Sequence, residues 1–221
     1  MNSLAVKIWC SLLLVAVAAY GGWTWWKWQQ ASQAAASAGG DGEAYQLVIQ
    51  DGPPLEEFTL TERTGREFDS ADMQGRVWIA SFFFTSCPGE CLTLNRRIAE
   101  LHEKWAEREL TFVSITCDPE TDTPAALTTY ADHFKADAER WLFLTGDKAL
   151  IHRIARDVFK TAIATKTHTD RMFLIDRDGK MLGTYRATQD ADMVALERKL
   201  DELLAGDEVA QRAAAAGTDR S

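Results

Sequence analysis

The sequence predicts an α/β fold, a central mixed sheet flanked by helices, and three observations carry that prediction. Val77 to Phe84 and Leu110 to Thr116 are runs nearly free of polar residues, with the length and the β-branched and aromatic content of strands buried on both faces. Leu92, Leu94, Ile98 and Leu101 then follow the first run at a helical spacing, so strand and helix alternate. Late in the chain, Arg177-Asp178-Gly179-Lys180 separates two short apolar runs, a hairpin signal that adds antiparallel strands to the parallel ones.

Taken in order, Phe58-Thr59-Leu60-Thr61, a turn at Glu62-Arg63-Thr64-Gly65 and Arg66-Glu67-Phe68-Asp69 read as a β-hairpin ahead of the central strand. After the central strand and its helix comes the Leu110 to Thr116 strand. Asp122-Thr123-Pro124 opens the next helix, with Thr123 as N-cap and Pro124 at the first position. Trp141 to Leu144 reads as a short strand. Asp147 to Phe159 reads as a helix with Leu150, Ile151, Ile154 and Val158 on one face. Met172 to Asp176 and Met181 to Tyr185 form the late hairpin, and Met193 to Leu204 the last helix. From Ala205 the alanine-rich end has no amphipathic pattern, so residues 205–221 are expected to be a disordered tail. His102, His133 and His152 fall on amphipathic helices and are expected to face solvent.

The N-terminal region is of a different kind. Ile8 to Trp26 is a run of 19 residues without a charge, between Lys7 and Lys27. That is close to the length needed to cross a bilayer, and Trp23, Trp25, Trp26 and Trp28 crowd its far end as an interfacial belt would. Residues 1–28 are therefore expected to be a membrane anchor. A cleaved signal peptide is the rival, since Lys7, the apolar run and Ala16-Val17-Ala18 fit that pattern too. Either reading sends the domain across the membrane. Residues 29–43 are small and polar, a flexible tether to a folded domain at 44–204. The net charge of −9 argues against a nucleic-acid partner, because phosphate binding along a duplex needs clustered Lys and Arg. Four cysteines are too few for a disulfide scaffold in 221 residues, which leaves redox or metal chemistry for some of them.

Cys87 and Cys91 sit where the central strand ends and its helix begins. Free backbone N–H groups and the positive end of the helix dipole favour a thiolate there, and Pro88 suits the first helical turn. Parallel strands end at one edge of a sheet, so Cys87, Cys117 and Asp118 are expected on the same side. If Met172 to Asp176 runs antiparallel to them, the loop from Ala164 to Asp170 hangs over the cysteine helix and brings His168 within reach of Cys87 and Cys91. On the residues alone, the cysteine pair could also be a static disulfide or core thiols, and His168 a plain surface residue. Cys117 is open between a buried strand-end residue and a participant, and Cys10 is expected to be inert.

These residues resemble the thioredoxin-like Sco/SenC copper proteins over roughly Leu55 to Leu204. Phe84-Thr85-Ser86-Cys87-Pro88-Gly89-Glu90-Cys91 matches the family's FTxCPxxC. Val113 to Pro119 with Asp122-Thr123-Pro124 matches its VSxDP and DTP segments. His168 precedes Met172-Phe173-Leu174-Ile175-Asp176 as the family histidine precedes its MYLID-like strand. The resemblance implies a thioredoxin-like fold and a membrane-tethered copper chaperone, or thiol reductase, that helps assemble the dinuclear copper centre of cytochrome c oxidase. It implies Cys87, Cys91 and His168 as copper ligands, a copper-acceptor subunit of the oxidase as partner, and a domain in the bacterial periplasm or the mitochondrial intermembrane space. Two residues depart from the pattern: Leu92 stands where the family has proline, and Cys117 where it has no cysteine.

The donor chemistry agrees. Thiolate sulfur selects Cu(I), an imidazole suits Cu(II) as well, and a disulfide between the same cysteines would abolish binding. Glu90, Asp118 and Asp170 are expected close by, with Asp118 orienting a ligand. The alternative is a membrane-anchored thiol-disulfide oxidoreductase that keeps partner cysteines reduced. The C-x3-C spacing and the histidine-bearing, proline-free loop favour copper over that reading. A peroxidase with a single catalytic cysteine is a distant third, having no need of Cys91 or His168.

Overall fold

The computed structural model describes residues 53–166 and 169–218. The expected anchor at 1–28, the tether at 29–43, Cys10 and His168 all lie outside the described residues.

Seven strands form one mixed sheet: β1 (Thr59–Glu62), β2 (Glu67–Asp69), β3 (Val77–Phe83), β4 (Leu110–Thr116), β5 (Trp141–Thr145), β6 (Arg171–Ile175) and β7 (Met181–Arg186). Their order across the sheet is β2-β1-β5-β4-β3-β6-β7. β3, β4 and β5 run parallel, with Val77 opposite Leu110 and Phe112 opposite Trp141. β6 is antiparallel to β3, with Met172 opposite Ser81, so β6 starts at the edge where β3 and β4 end.

All seven residues of β3 are buried because both faces of the sheet are covered. Val77, Ile79 and Phe83 face one core, shared with Leu94, Ile98 and Leu101 of α1 (Glu90–Lys104), Leu127 of α2 (Pro124–His133) and Leu196 and Leu200 of α4 (Asp190–Thr218). Trp78, Ala80 and Phe82 face the other, with Ile151 of α3 (Lys148–Arg153) and Phe58, Phe68 and Phe159. Period-two alternation divides one apolar run between two cores. Each large side chain so buried contributes roughly 1.5–3 kcal/mol. The polar groups in the middle of the sheet pair with one another: the Ser81 and Ser114 hydroxyls lie 3.1 Å apart, and the Trp141 indole N–H donates to Ser114 Oγ at 3.0 Å.

Thr123 caps α2, its side chain accepting from the Ala126 amide, and Pro124 stands in the first turn, as expected from sequence. Three expectations are corrected. The helix expected from Asp147 to Phe159 is α-helical only to Arg153; Ile154–Val158 is a π-helical turn that closes with the Phe159 amide on the Ile154 carbonyl. The wider turn leaves Val158 and Phe159 both buried, Phe159 against Phe58, Trp78, Phe82 and Phe173. The last helix does not end at Leu204 but runs to Thr218. Past Leu204 the sequence is rich in alanine, and high intrinsic propensity extends a helix where the amphipathic pattern has stopped. His102 does not face solvent: it is buried, its ring 5.9 Å from Phe112 and 5.8 Å from Trp141. Residue 102 lies four beyond Ile98 and so widens the apolar stripe of α1. His133 is exposed as expected, and His152 is half-buried.

Burial first, and then the Arg140 charge, push the His102 imidazole below its ordinary value, against a smaller opposing pull from Asp137. The folded protein therefore holds it neutral at pH values where the unfolded chain already binds a proton. Its contribution is complete above about pH 6.5 and is lost as the pH falls towards the folded value. His102→Leu should flatten this part of the profile: the gap in urea midpoint between pH 7 and pH 5 should be smaller in the variant than in the wild type. An unchanged gap would rule out His102 as its source.

Candidate metal centre

At the end of β3 the chain turns through Thr85 to Gly89 and enters α1. The Cys87 amide bonds to the Phe84 carbonyl at 3.2 Å, and the Leu92 and Thr93 amides both reach the Gly89 carbonyl. Gly89 is the N-cap and has no side chain to cap with. Pro88 therefore precedes the helix instead of standing in its first turn, and Cys87 lies just outside it. The two cysteines still meet. The Cys91 amide, one of the N–H groups without a partner inside the helix, donates to Cys87 Sγ at 3.4 Å. Cys87 is 8% exposed and Cys91 is 0% exposed, and neither is in a disulfide.

Burial is the main cause that pushes the Cys91 thiol far above its ordinary value. The Cys87 hydrogen bond and the neighbouring Cys87 and Cys117 thiols add to it, and a backbone bond at Phe84 opposes it. A soft metal that takes this sulfur must therefore displace a proton.

The parallel pairing delivers the second strand end to the same edge. The Cys117 amide donates to the Phe83 carbonyl at 2.7 Å, extending the β3–β4 ladder by one step. The Cys117 side chain, however, points into the other core, among Phe82, Ile115 and Phe173, while Cys87 and Cys91 belong to the core under α1. Cys117 is 0% exposed and its thiol is pushed up to about 12, by burial first and then by the Asp122 and Asp118 charges. Its place is that of a buried strand-end residue.

Asp118 is 2% exposed, and its Oδ2 has no hydrogen-bond partner among the described residues. Lys166 Nζ approaches that oxygen at 3.8 Å, an ion-pair distance too long for a hydrogen bond. Lys166 belongs to the loop before β6, so at that point the loop lies over the end of β4, next to the cysteine turn. Of the other acidic candidates, Glu90 is exposed in the first turn of α1, and Asp170 is tied to the Thr188 hydroxyl beyond β7. Among the described residues, no three His, Cys, Asp or Glu side chains form a group that would hold a metal ion.

Sequence reasoning missed the residue that holds this edge together. Asp122, read as part of a helix opening, is fully buried. Its carboxylate accepts from the Thr85 amide at 3.1 Å, from the Thr85 hydroxyl and from the Thr116 hydroxyl. It thus fastens the cysteine turn to the end of β4. Asn95 was missed as well. It is fully buried on α1 one turn after Cys91, and its Nδ2 donates to the Cys91 carbonyl at 3.0 Å and to Tyr130 Oη at 3.1 Å. The one available signal was a carboxamide in the apolar stripe of Leu94, Ile98 and Leu101.

With this geometry in place, the comparisons with known proteins are decisive. The SCO1/SenC family model matches residues 49–204. The chain belongs to the SCO1/SenC family. A putative copper-binding protein of Stutzerimonas stutzeri is 28% identical over 174 residues, covering 73% of this chain and 82% of the relative. Two solved structures align along the domain. BsSco, described with a disulfide switch as a member of the Sco family of cytochrome c oxidase assembly proteins, has a TM-score of 0.59 at 26% identity and covers 64% of this chain and 88% of its own. Copper-bound ScoI of Bradyrhizobium japonicum has a TM-score of 0.53 at 26% identity and covers 66% and 98%. The mixed sheet with its flanking helices is the thioredoxin-like fold of this SCO1/SenC domain.

Two outcomes test the geometry. Asp122→Ala leaves three donors, the Thr116 hydroxyl among them fully buried, without their charged acceptor and should lower the unfolding free energy by about 3 kcal/mol in urea titration. A loss within error would show that the carboxylate does not hold the edge. In timed alkylation read by mass spectrometry, Cys87 should react first and Cys117 only on unfolding. Early labelling of Cys117 would contradict its placement.

Proposed function

We propose that this SCO1/SenC protein is a copper metallochaperone, which binds one copper through the Cys87 and Cys91 sulfurs and the His168 imidazole and passes it to a cytochrome c oxidase subunit. The observation that carries the reading is the pair of adjacent sulfurs, joined through the Cys91 amide, beside a buried Asp118 carboxylate oxygen that lacks a hydrogen-bond partner. Two soft sulfurs suit Cu(I), and a histidine added to them suits Cu(II), so one site tolerates both valences and keeps a position open for transfer. Copper supplies no chemistry beyond being carried; the chain selects it, releases the thiol protons and gives it up. Asp118 is the group we assign to orienting the loop donor, in the role that carboxylates take behind metal-bound histidines. Lys166, two residues before His168, already reaches Asp118, which supports the loop as the source of that donor. The copper-binding relative and the copper-bound neighbour support the choice of metal.

Residues 1–28 we assign to a membrane anchor that holds the domain on the trans side, in a periplasm or an intermembrane space. No helix among the described residues is long and apolar enough to cross a membrane. A second reading, thiol-disulfide oxidoreductase, draws on the same adjacency: Cys87, the more exposed sulfur, attacks a target disulfide and Cys91 resolves the mixed disulfide.

Anaerobic titration of the purified chain with Cu(I), and then with Cu(II), separates the readings. One copper per chain is expected. Cys87→Ser and Cys91→Ser should abolish binding, His168→Ala should weaken Cu(II) selectively, and Cys117→Ser should leave both unchanged. Asp118→Asn should weaken copper about tenfold without loss of fold. Wild-type binding of both valences by His168→Ala would remove the third donor. Rapid reduction of insulin disulfides by a chain that takes no metal would establish the oxidoreductase instead.

A further inference from the structure

Two unmet valences lie beneath the cysteine turn. The first is on Asn95, whose Nδ2 bonds to the Cys91 carbonyl at 3.0 Å. Only an N–H can meet a carbonyl, so this bond fixes which end of the carboxamide points there. The other end, Oδ1, is buried and has no hydrogen-bond partner among the described residues. A leucine in this stripe of Leu94, Ile98 and Leu101 would avoid the cost of that unmet oxygen, so packing does not explain the amide. The second unmet valence is on Tyr130. Asn95 Nδ2 donates to Tyr130 Oη at 3.1 Å, so the phenol oxygen is an acceptor and still has its own proton to give. Among the described residues no acceptor takes that proton.

The fold brings this hydroxyl to the sulfurs. Side chains on a helix lean towards its N-terminus, so the Asn95 amide lies over the turn of α1 that carries Cys91. Tyr130 reaches it from α2. Its ring stacks on Phe83 at the end of β3, centroids 5.2 Å and planes 23° apart, and meets Phe143 edge-on at 6.2 Å. These contacts hold the ring in one pose. Burial is the main cause that pushes the phenol above its ordinary value; the Asn95 bond opposes it, and the Cys91, Cys87 and Asp122 charges add to it. The hydroxyl therefore keeps its proton when a sulfur ionises nearby. Of these three groups, Asp122 already accepts from Thr85 and Thr116. Cys91 is the one whose backbone shares the Asn95 amide with Tyr130.

We propose that Tyr130, oriented by Asn95, donates its O–H to the Cys91 sulfur, and that this bond makes the site favour Cu(I) over Cu(II). The bond rests on the geometry above; its effect on valence rests on the copper reading of the sulfur pair. A donor to a thiolate draws electron density from it, and a sulfur that gives less to the metal stabilises the higher valence less. Asn95 is a positioning residue that acts through Tyr130. In the metal-free chain the same bond favours the dithiol over the disulfide, whose sulfurs are poorer acceptors.

The test uses the full chain in neutral detergent. Glutathione redox buffers at pH 7, read by peptide mass spectrometry after alkylation, give the dithiol–disulfide equilibrium of Cys87 and Cys91 without metal. Tyr130→Phe removes one oxygen and leaves the bond between Asn95 and Cys91 in place. In this variant the disulfide should be favoured about fivefold more than in the wild type, the effect of one lost hydrogen bond. Asn95→Leu keeps the hydroxyl, removes its holder and should shift the equilibrium the same way by less. Competitive titrations with Cu(I) and with Cu(II) then compare the valences. In Tyr130→Phe the preference for Cu(I) should fall about fivefold, and the sulfur-to-Cu(II) charge-transfer band should move to lower energy. Equal weakening of both valences with the band unmoved would mean that Tyr130 only packs, and overturns the proposal. An unmoved glutathione equilibrium overturns the bond itself. A moved equilibrium in a chain that takes no copper keeps the bond and overturns the valence role together with the copper reading.

Discussion

The parallel pairing of β3 with β4 is the constraint on which the cysteine rim depends. Seven consecutive pairs, from Val77 with Leu110 to Phe83 with Thr116, carry the two strands to a common end, and the Cys117 amide adds a further rung. The cysteine turn leaves one strand and the Asp118 turn leaves the other. Asp122 then locks them together, its carboxylate bonded to Thr85 on one side and Thr116 on the other. A slip of one residue would send Cys117 and the flanking phenylalanines to the wrong faces, so the buried pattern on both sides holds the register.

The electrostatics of the rim follow from burial. Cys91 is enclosed by its own helix and by the core below, which disfavours an isolated thiolate. In the copper reading proposed above, a soft cation at the sulfurs would supply the stabilisation that solvent cannot reach. Cys117 has the same burial but faces the other core. The sheet itself places the two thiols in different cores.

Much of the rim was legible in the chain, because the relevant signals are local. C-x3-C at a strand-to-helix junction, the DP turn after a buried run and Thr123-Pro124 at a helix start depend on neighbours a few residues away, and the structure shows these elements where the pattern placed them. What was not legible depends on distant partners. Asp122 looked like part of a helix opening because the hydroxyl and amide of Thr85 come to it across 37 residues. His102 looked exposed because its cover, Phe112 and Trp141, comes from two strands later in the chain. The π-turn at Ile154 answers to the phenylalanine cluster around Phe159, which no window of sequence contains.

By itself, the amino-acid sequence determined the order of strands and helices, the junction that holds the two cysteines and the helix caps, since period, turn chemistry and capping act within a few residues. The tertiary structure alone decided which buried polar groups find partners, which face each thiol takes, and which charges converge at the cysteine edge. Those outcomes depend on strand register and on long-range packing, where burial and Coulomb energy are set by groups that are neighbours only after the chain has folded.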